Sequence, residues 1–463
     1  MREGGLDAPV RHPLPWREES FYDPAELEKE MRRVFDICHG CRRCFNLCDS
    51  FPRLFDLIDA SPSGELDGVK SEDFAQVVEA CTLCDMCFMT KCPYVPPHPF
   101  ALDFPHLMLR SRAVAARRQG IPFPDRALAA TDRNGRLASA LAPLANWATR
   151  TENRTARRAL ERLARIDARA ELPRYARPPL LKRRSSPPLN REAPAFGRKA
   201  VLYATCYGNY NTPEVGEALR AVLARNGVAH EILHPTCCGM PKLEQGDIAG
   251  VAEAAEKTAR AFAPWIAQGY DVIALVPSCA LMVKFEWPLI LPENEDVARL
   301  ARATYDISEY IVDIAKKEGL APWLSPLPTS VALHLACHAR AQNMGQKAAE
   351  MLRLIPGLDL AVIERCSGHG GAWGFKKPHF DTALKVGRPT ARQIKGAEKQ
   401  AITSECPLAG LHLAQMLRLQ DGTSPPPRLY THPIQLLAAA YGIGSPPAAG
   451  EEQRAEGGGR RSE

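Results

Sequence analysis

Eight of the fifteen cysteines fall between residues 38 and 92 in two tight runs, and nothing else in the chain constrains its fold as strongly. Cys38, Cys41, Cys44 and Cys48 are spaced C-x2-C-x2-C-x3-C, and Cys81, Cys84, Cys87 and Cys92 are spaced C-x2-C-x2-C-x4-C with Pro93 directly after. Two-residue gaps let three thiolates of one loop face three irons of a cubane. In two-cluster ferredoxins the more distant fourth cysteine completes the neighbouring cluster. The spacing therefore assigns Cys38, Cys41, Cys44 and Cys92 to one [4Fe-4S] site, and Cys81, Cys84, Cys87 and Cys48 to a second. Paired zinc sites are the alternative, because four thiolates suit zinc as well, although zinc usually takes two separated C-x2-C units. A disulfide framework is the third reading. The first run lacks a proline directly after its last cysteine, and the second has one extra residue before its last; neither departure removes a ligand.

Fifteen cysteines in a reducing compartment point to metal ligation or redox chemistry rather than disulfides. No stretch approaches the roughly 18 apolar residues of a membrane span, and the opening MREGGLDAPVRHPLPWREESF has no apolar signal core, so a cytoplasmic chain is expected. With 463 residues, 45% apolar and 24% charged, it reads as a soluble globular protein of roughly two to four domains.

The remaining seven cysteines repeat. AVLYATC (200–206) is matched by VALHLAC (331–337), Cys237-Cys238-Gly239 by Cys366-Ser367-Gly368, and Cys279 after an apolar run by Cys406 in AITSEC. The offsets from Cys206 to Cys337, Cys237 to Cys366 and Cys279 to Cys406 are 131, 129 and 127 residues, which is the mark of a duplicated unit. Strand-like and helix-like segments alternate through both copies and predict two α/β domains with mainly parallel sheets. Cysteines at strand ends then fall where open α/β sheets place their sites. Cys206, Cys237, Cys238 and Cys279 offer four soft ligands for a further cluster or zinc. Cys337, Cys366 and Cys406 offer three, leaving a position open for water, substrate or a residue such as His369. Buried free cysteines are the bland alternative. His334 and His338, which flank Cys337, read more readily as hydrogen-bonded structural residues than as ligands.

Local signals fill in the rest. Asp23 caps a helix that starts at Pro24, with Glu26 completing a capping box and Leu27, Met31, Val34 and Phe35 in one apolar stripe; a second helix from about Ser71 carries Phe74, Val77 and Val78 into Cys81. Residues 1–22 show no periodicity and are expected to lie over the surface. Residues 150–199 hold 15 Arg or Lys against 5 Asp or Glu, an excess of 10 in a chain whose net charge is +6. This stretch reads as a solvated Arg-rich helix followed by a Pro-rich linker, or more sharply as a docking surface for an acidic partner or an anionic lipid face. No nucleic-acid motif accompanies the charge. No GxGxxG, GxxxxGK[ST] or G-x-S-x-G motif occurs, so nicotinamide, flavin, ATP and esterase chemistry have no positive support, and any flavin belongs to a partner. The polar, glycine-rich tail is expected to be disordered.

On these residues the chain resembles the iron–sulfur family that joins an α-helical ferredoxin module to two cysteine-rich "CCG" domains. That family includes the C subunit of anaerobic glycerol-3-phosphate dehydrogenase, the D subunit of heterodisulfide reductase and the iron–sulfur subunit of glycolate oxidase. The resemblance implies an α+β multidomain chain. Its parts are an N-terminal extension (1–22), a ferredoxin domain with two [4Fe-4S] clusters (23–125), a basic helical and Pro-rich linker (126–195), CCG domains at 196–325 and 326–445, and a tail (446–463). It also implies that Cys206, Cys237, Cys238 and Cys279 are the ligand positions of the first CCG unit, and Cys337, Cys366 and Cys406 those of the second. The family's unit ends in C-x2-C, whereas Val276 and Thr403 stand at the first of those positions here and Ser367 replaces the second cysteine of the CC pair. The expected function is electron transfer between a flavoprotein or membrane-associated partner and an acceptor such as a quinone or a disulfide, rather than stand-alone catalysis. The chain would then sit peripherally at the inner membrane face through its partner. A thiol-type reductase acting at the CCG site and a non-redox zinc docking protein are the alternatives.

Overall fold

The computed structural model describes residues 4, 5, 7–183, 187–420 and 427–443. The expected disorder of the tail concerns residues outside these.

The first cysteine run grows out of a helix. Asp23 caps α1 (Pro24–Cys41) by accepting from the amides of Ala25 and Glu26, and Leu27, Met31, Val34 and Phe35 are its buried stripe, as the periodicity predicts. The helix does not stop at Cys38, however; it carries both Cys38 and Cys41 and ends at Arg42 in the left-handed conformation. Four more helices complete this module: α2 (Ser50–Asp59), α3 (Ala75–Ala80), α4 (Met86–Thr90) and α5 (Phe104–Gln119). The second predicted helix begins as a 3-10 turn over Ser71–Phe74 and continues as α3, which ends at Cys81. Cys84 lies between Leu83 and Asp85, both with positive φ (49° and 61°). Such reversals cost a non-glycine residue about 1–2 kcal/mol, and they fold the loop back so that its thiols share one side.

The two duplicated units are the expected α/β domains. Strands β1 (Lys199–Tyr203), β2 (Ala229–Leu233), β3 (Asp271–Ala274) and β4 (Thr304–Asp306) form one sheet in the order β2-β1-β3-β4. Strands β5 (Ser330–His334), β6 (Asp359–Ile363), β7 (Ala401–Ser404) and β8 (Arg428–Tyr430) repeat it as β6-β5-β7-β8, and every pairing in both sheets is parallel. The central strands are continuous apolar runs because helices cover both faces of the sheet. In both units the cysteines follow the carboxyl ends of the three neighbouring strands β2, β1, β3 and β6, β5, β7, where such sheets change direction.

Between these parts, residues 123–164 form four short helices: α6 (Phe123–Ala129), α7 (Thr131–Ala140), α8 (Ala142–Thr149) and α9 (Arg154–Ala164). They are more than a solvated linker. Arg157 is buried and donates to the carbonyls of Asp167 and Ala170 at 2.7 and 2.6 Å, which pins α9 to the segment behind it. Gly135 lets α7 lie against the Tyr210 ring, which a Cβ would overlap at 2.2 Å.

The leading segment also does more than cross the surface. The Arg11 side chain is only 11% exposed and reaches Asp85 at 2.9 Å, Asp103 at 2.7 Å and Glu286 at 2.9 Å. Its guanidinium also covers the Phe88 ring at 4.6 Å. Three segments far apart in sequence are thus tied to one cation.

Candidate metal centres and the cavity between the repeats

The crossed pairing expected from the spacing is what the fold brings together. Cys38, Cys41, Cys44 and Cys92 line one small cavity walled by Phe51, Phe55 and Leu102. Burial pushes the Cys38 thiol up, and the neighbouring Cys92, Cys44 and Cys41 add to it. Cys48 belongs to the other group. Burial and then Cys84 and Cys81 push its thiol up, and Cys87 is raised by burial and by Cys84 and Cys81. All fifteen cysteines are free, so the disulfide reading finds no bond here.

The duplicated units open onto a shared cavity of ≈ 310 Å³. Cys206, Cys237, Cys238 and Cys279 line it from one side, Cys337, Cys366 and Cys406 from the other, and Cys84 from the helical module. In the first unit the thiols touch, with Cys206 Sγ donating to Cys237 Sγ at 3.7 Å. Thr205, just before Cys206, has φ 57° and ψ 165°, a conformation that β-branched residues avoid, and its hydroxyl accepts from the Gly208 amide. The loop of Cys237 is held from outside the sheet. Asp132 on α7 accepts from the Cys237 amide at 2.7 Å and meets His234 Nε2 at 2.6 Å. Burial opposes the charge on Asp132, but these bonds hold its carboxyl below the ordinary range. Buried Trp287 donates to the Cys238 carbonyl at 3.1 Å.

In the second unit the Cys337 thiol is pushed up by burial, then by Cys84, Cys366 and Cys406, so the trio gathers around the tip of the helical module's loop. His338 Nε2 lies 3.4 Å from the Leu83 carbonyl, and Trp373 donates to the Glu79 carbonyl at 2.9 Å. His334 is structural, as expected: its ring nitrogens meet Ser404 Oγ at 2.8 Å and the Arg365 carbonyl at 2.9 Å. His369 is different. It lines the cavity, its Nε2 accepts from the Gly371 amide at 3.2 Å, and its buried Nδ1 has no partner among the described residues. Burial lowers its pKa to about 3, so the ring is neutral and, with Nε2 accepting, carries its proton on Nδ1.

Glycine is required at the same place in both repeats. Gly239 and Gly368 have φ of 86° and 79°; a Cβ would meet Val251 at 3.2 Å in the first and the Ala383 carbonyl oxygen at 2.1 Å in the second.

The donor set fits a thiolate-bound metal group. Burial raises Cys44 and Cys84 to about 12 and Cys406 to about 11, so these thiols on their own would hold their protons at neutral pH. A bound cation is what makes such a thiol ionise. Among the described residues no three His, Cys, Asp or Glu side chains close on a point as ligands of one ion would. Arg11, Asp132 and the cavity walls formed by Leu128, Thr149 and Tyr175 were not foreseen from sequence, because no local pattern marks them.

Comparison with known proteins agrees with this geometry. The model of the CCG cysteine-rich domain matches residues 200–284 and again 331–414, the two repeats. Lactate utilization protein A of Geobacillus thermodenitrificans is 32% identical over 190 residues, 38% of this chain and 75% of that protein. The chain belongs to the CCG iron–sulfur family. The C subunit of anaerobic glycerol-3-phosphate dehydrogenase from Escherichia coli K12 is 28% identical over 318 residues, 68% of this chain and 76% of the relative. The B subunit of the CoM/CoB fumarate reductase of Methanothermobacter marburgensis is 27% identical over 227 residues, 48% of this chain and 42% of the relative. Among the described residues no helix is long and apolar enough to cross a membrane.

Proposed function

We propose that this CCG-family chain is the iron–sulfur electron-transfer subunit of an oxidoreductase complex. In this reading residues 23–125 are a ferredoxin-type domain, Cys38, Cys41, Cys44 and Cys92 hold one [4Fe-4S] cluster, and Cys48, Cys81, Cys84 and Cys87 hold a second. The carrying observation is the exchange of fourth cysteines, with Cys92 beside the first run and Cys48 beside the second. Each cluster supplies a one-electron step when bound. The residues of the chain set the route: Cys84 faces both its own run and the Cys337, Cys366 and Cys406 trio, so the second cluster site borders the cavity between the CCG domains. The Cys206, Cys237, Cys238 and Cys279 quartet is a further metal or cluster site across the same cavity. The partner is a flavoprotein or membrane-associated protein, and the acceptor a quinone or a disulfide; two of the relatives are by name subunits of larger enzymes. The complex works at the inner face of the membrane.

The test is iron, sulfide and zinc content of anaerobically purified protein, with electron paramagnetic resonance of the reduced sample. Two cubanes bring about eight irons per chain. Cys48→Ser should disturb the cluster of Cys81, Cys84 and Cys87 and leave that of Cys38, Cys41 and Cys44 intact. Iron-free, zinc-loaded protein sinks the reading.

One observation favours a second activity. The ≈ 310 Å³ cavity is large enough for a small molecule and is lined by all seven CCG cysteines and His369. A thiol-type reductase working there loses turnover in Cys366→Ala with its ferredoxin-type clusters intact. Unchanged turnover removes that possibility.

A further inference from the structure

The helical segment that leads into the basic stretch has two faces, and only one is accounted for by the fold. The inner face of α7 is committed, with Asp132 on the Cys237 loop and Gly135 against Tyr210. Along the outer face of α7 and α8 run Leu137, Leu141, Leu144 and Trp147, each between 55 and 63% exposed. Their spacing of three to four residues puts them in one row along the two consecutive helices. Single exposed apolar side chains are ordinary, but four large ones in one row are not.

Charge frames the row. Arg133 and Arg136 are exposed at its start. On the next helix, α9, which packs on α8, Arg154, Arg158 and Arg162 recur every four residues, Arg165 follows at its C-terminal end, and all four are exposed. None of these four pairs with an acid among the described residues. Glu152 is the one exposed acid between residues 123 and 169. Leucines and a tryptophan on the outward side, bordered by a row of arginines, form the arrangement of segments that lie in a bilayer interface and are drawn to anionic lipid.

We propose that the outer face of α7, α8 and α9 docks this chain directly on an anionic lipid surface, with Leu144 and Trp147 entering the headgroup boundary and the α9 arginines pairing with lipid phosphates. Charge complementarity selects this occupant: the row is too cationic for a second copy of itself, which would bring two arginine rows together. The inference does not rest on the cluster assignment, since it concerns side chains on the far side of these helices. Thr131, Asn134 and Thr149 on α7 and α8 line the cavity, so docking would hold that cavity about one helix diameter, roughly 10 Å, from the lipid surface.

The test is co-sedimentation of the purified full chain, without partners, with vesicles of phosphatidylcholine alone or with one third phosphatidylglycerol. Binding should require the anionic lipid and weaken with salt. Arg158→Gln with Arg162→Gln should weaken it by about fivefold per arginine, and Leu144→Ser with Trp147→Ser by about tenfold or more. Both pairs are exposed, and circular dichroism and bound iron equal to the parent confirm that these variants fold. Brominated lipid should quench tryptophan emission in the parent and lose that effect in Trp147→Phe. The proposal falls if the chain ignores anionic vesicles, or if neither double variant changes binding. It also falls if the chain self-associates in ultracentrifugation and Trp147→Glu abolishes it, or if an acidic protein occupies the face while vesicles do not.

Discussion

The two CCG domains share a strand order, a set of parallel pairings and a required glycine, yet they treat their cysteines differently. In the first, four thiols lie against one another, the Cys237 amide is gripped by Asp132 and the Cys238 carbonyl by Trp287. In the second, Ser367 stands where the fourth thiol would be, and the remaining three gather around Cys84 of the helical module. The anchoring differs too. The first domain is joined to the module through a largely buried cation, Arg11, on Glu286, Asp85 and Asp103. The second is joined by bonds from Trp373 and His338 to backbone carbonyls and by His379 Nε2 on Glu79 at 3.2 Å, with no buried cation among them. Duplication thus preserved the backbone that presents ligands and let the ligand set and the docking contacts diverge, because the strand-end loops carry both and the sheets depend on neither.

The contrast in anchoring can be broken at its strongest point. Arg11→Met leaves the buried carboxylates of Asp85 and Glu286 and the partly buried one of Asp103 with only His106 beside them, so it should cost about 3–5 kcal/mol, read as a lowered urea midpoint. Trp373→Phe removes one neutral bond and should cost about 1 kcal/mol. Equal losses would erase the distinction.

The shared glycine sharpens the comparison of the sheets. Gly368→Ala puts a Cβ on a backbone oxygen in an unfavourable conformation and should cost about 3 kcal/mol, whereas Gly239→Ala meets only a valine methyl and should cost about 1–2 kcal/mol. Thermal denaturation of the two variants decides this.

Acid adds a smaller effect at the first anchor. Burial alone would push the Asp103 carboxyl up, but His106 and Arg11 hold it at about 2. Its folded-state value is depressed, so the stabilisation it brings is complete above about pH 4 and is lost as pH falls toward 2. The Arg11→Met variant should lose less stability than the parent across that window in pH-dependent urea unfolding.

The ligand difference is reversible in principle, with little effect on stability. Cys238→Ser gives the first unit the second unit's serine and should lower its bound metal; Ser367→Cys should raise metal uptake by the second. Metal analysis of both proteins against the parent reads the exchange. No change in either would mean that the fourth thiol is not what separates the domains.

Much of the architecture was legible because it is local or periodic. Continuous apolar runs such as AVLYATC and VALHLAC can be satisfied only between two layers of helix, and the repeated offsets placed the same sheet twice. The spacing of Cys38 to Cys92 likewise anticipated that Cys92 lies beside Cys38, Cys41 and Cys44 in one cavity. Helix boundaries were less legible: α1 runs through Cys38 and Cys41, since a ligand can sit on the last turn as easily as after it. How the leading segment and the basic stretch pack could not be read. Arg11 finds its carboxylates 74, 92 and 275 residues away, and no window of sequence contains such a contact.

The sequence by itself determined the two parallel sheets and the strand ends that present cysteines, because each follows from a short-range repeat acting on backbone geometry. Only the tertiary structure decided that Cys84 faces the second CCG trio, that seven cysteines from two repeats share one cavity, that Asp132 and Arg11 hold the pieces in place, and that the leucines and arginines of α7 to α9 line one outward surface. Those arrangements are set by how separately formed layers pack against one another, where burial and charge pairing act between residues that the chain keeps far apart.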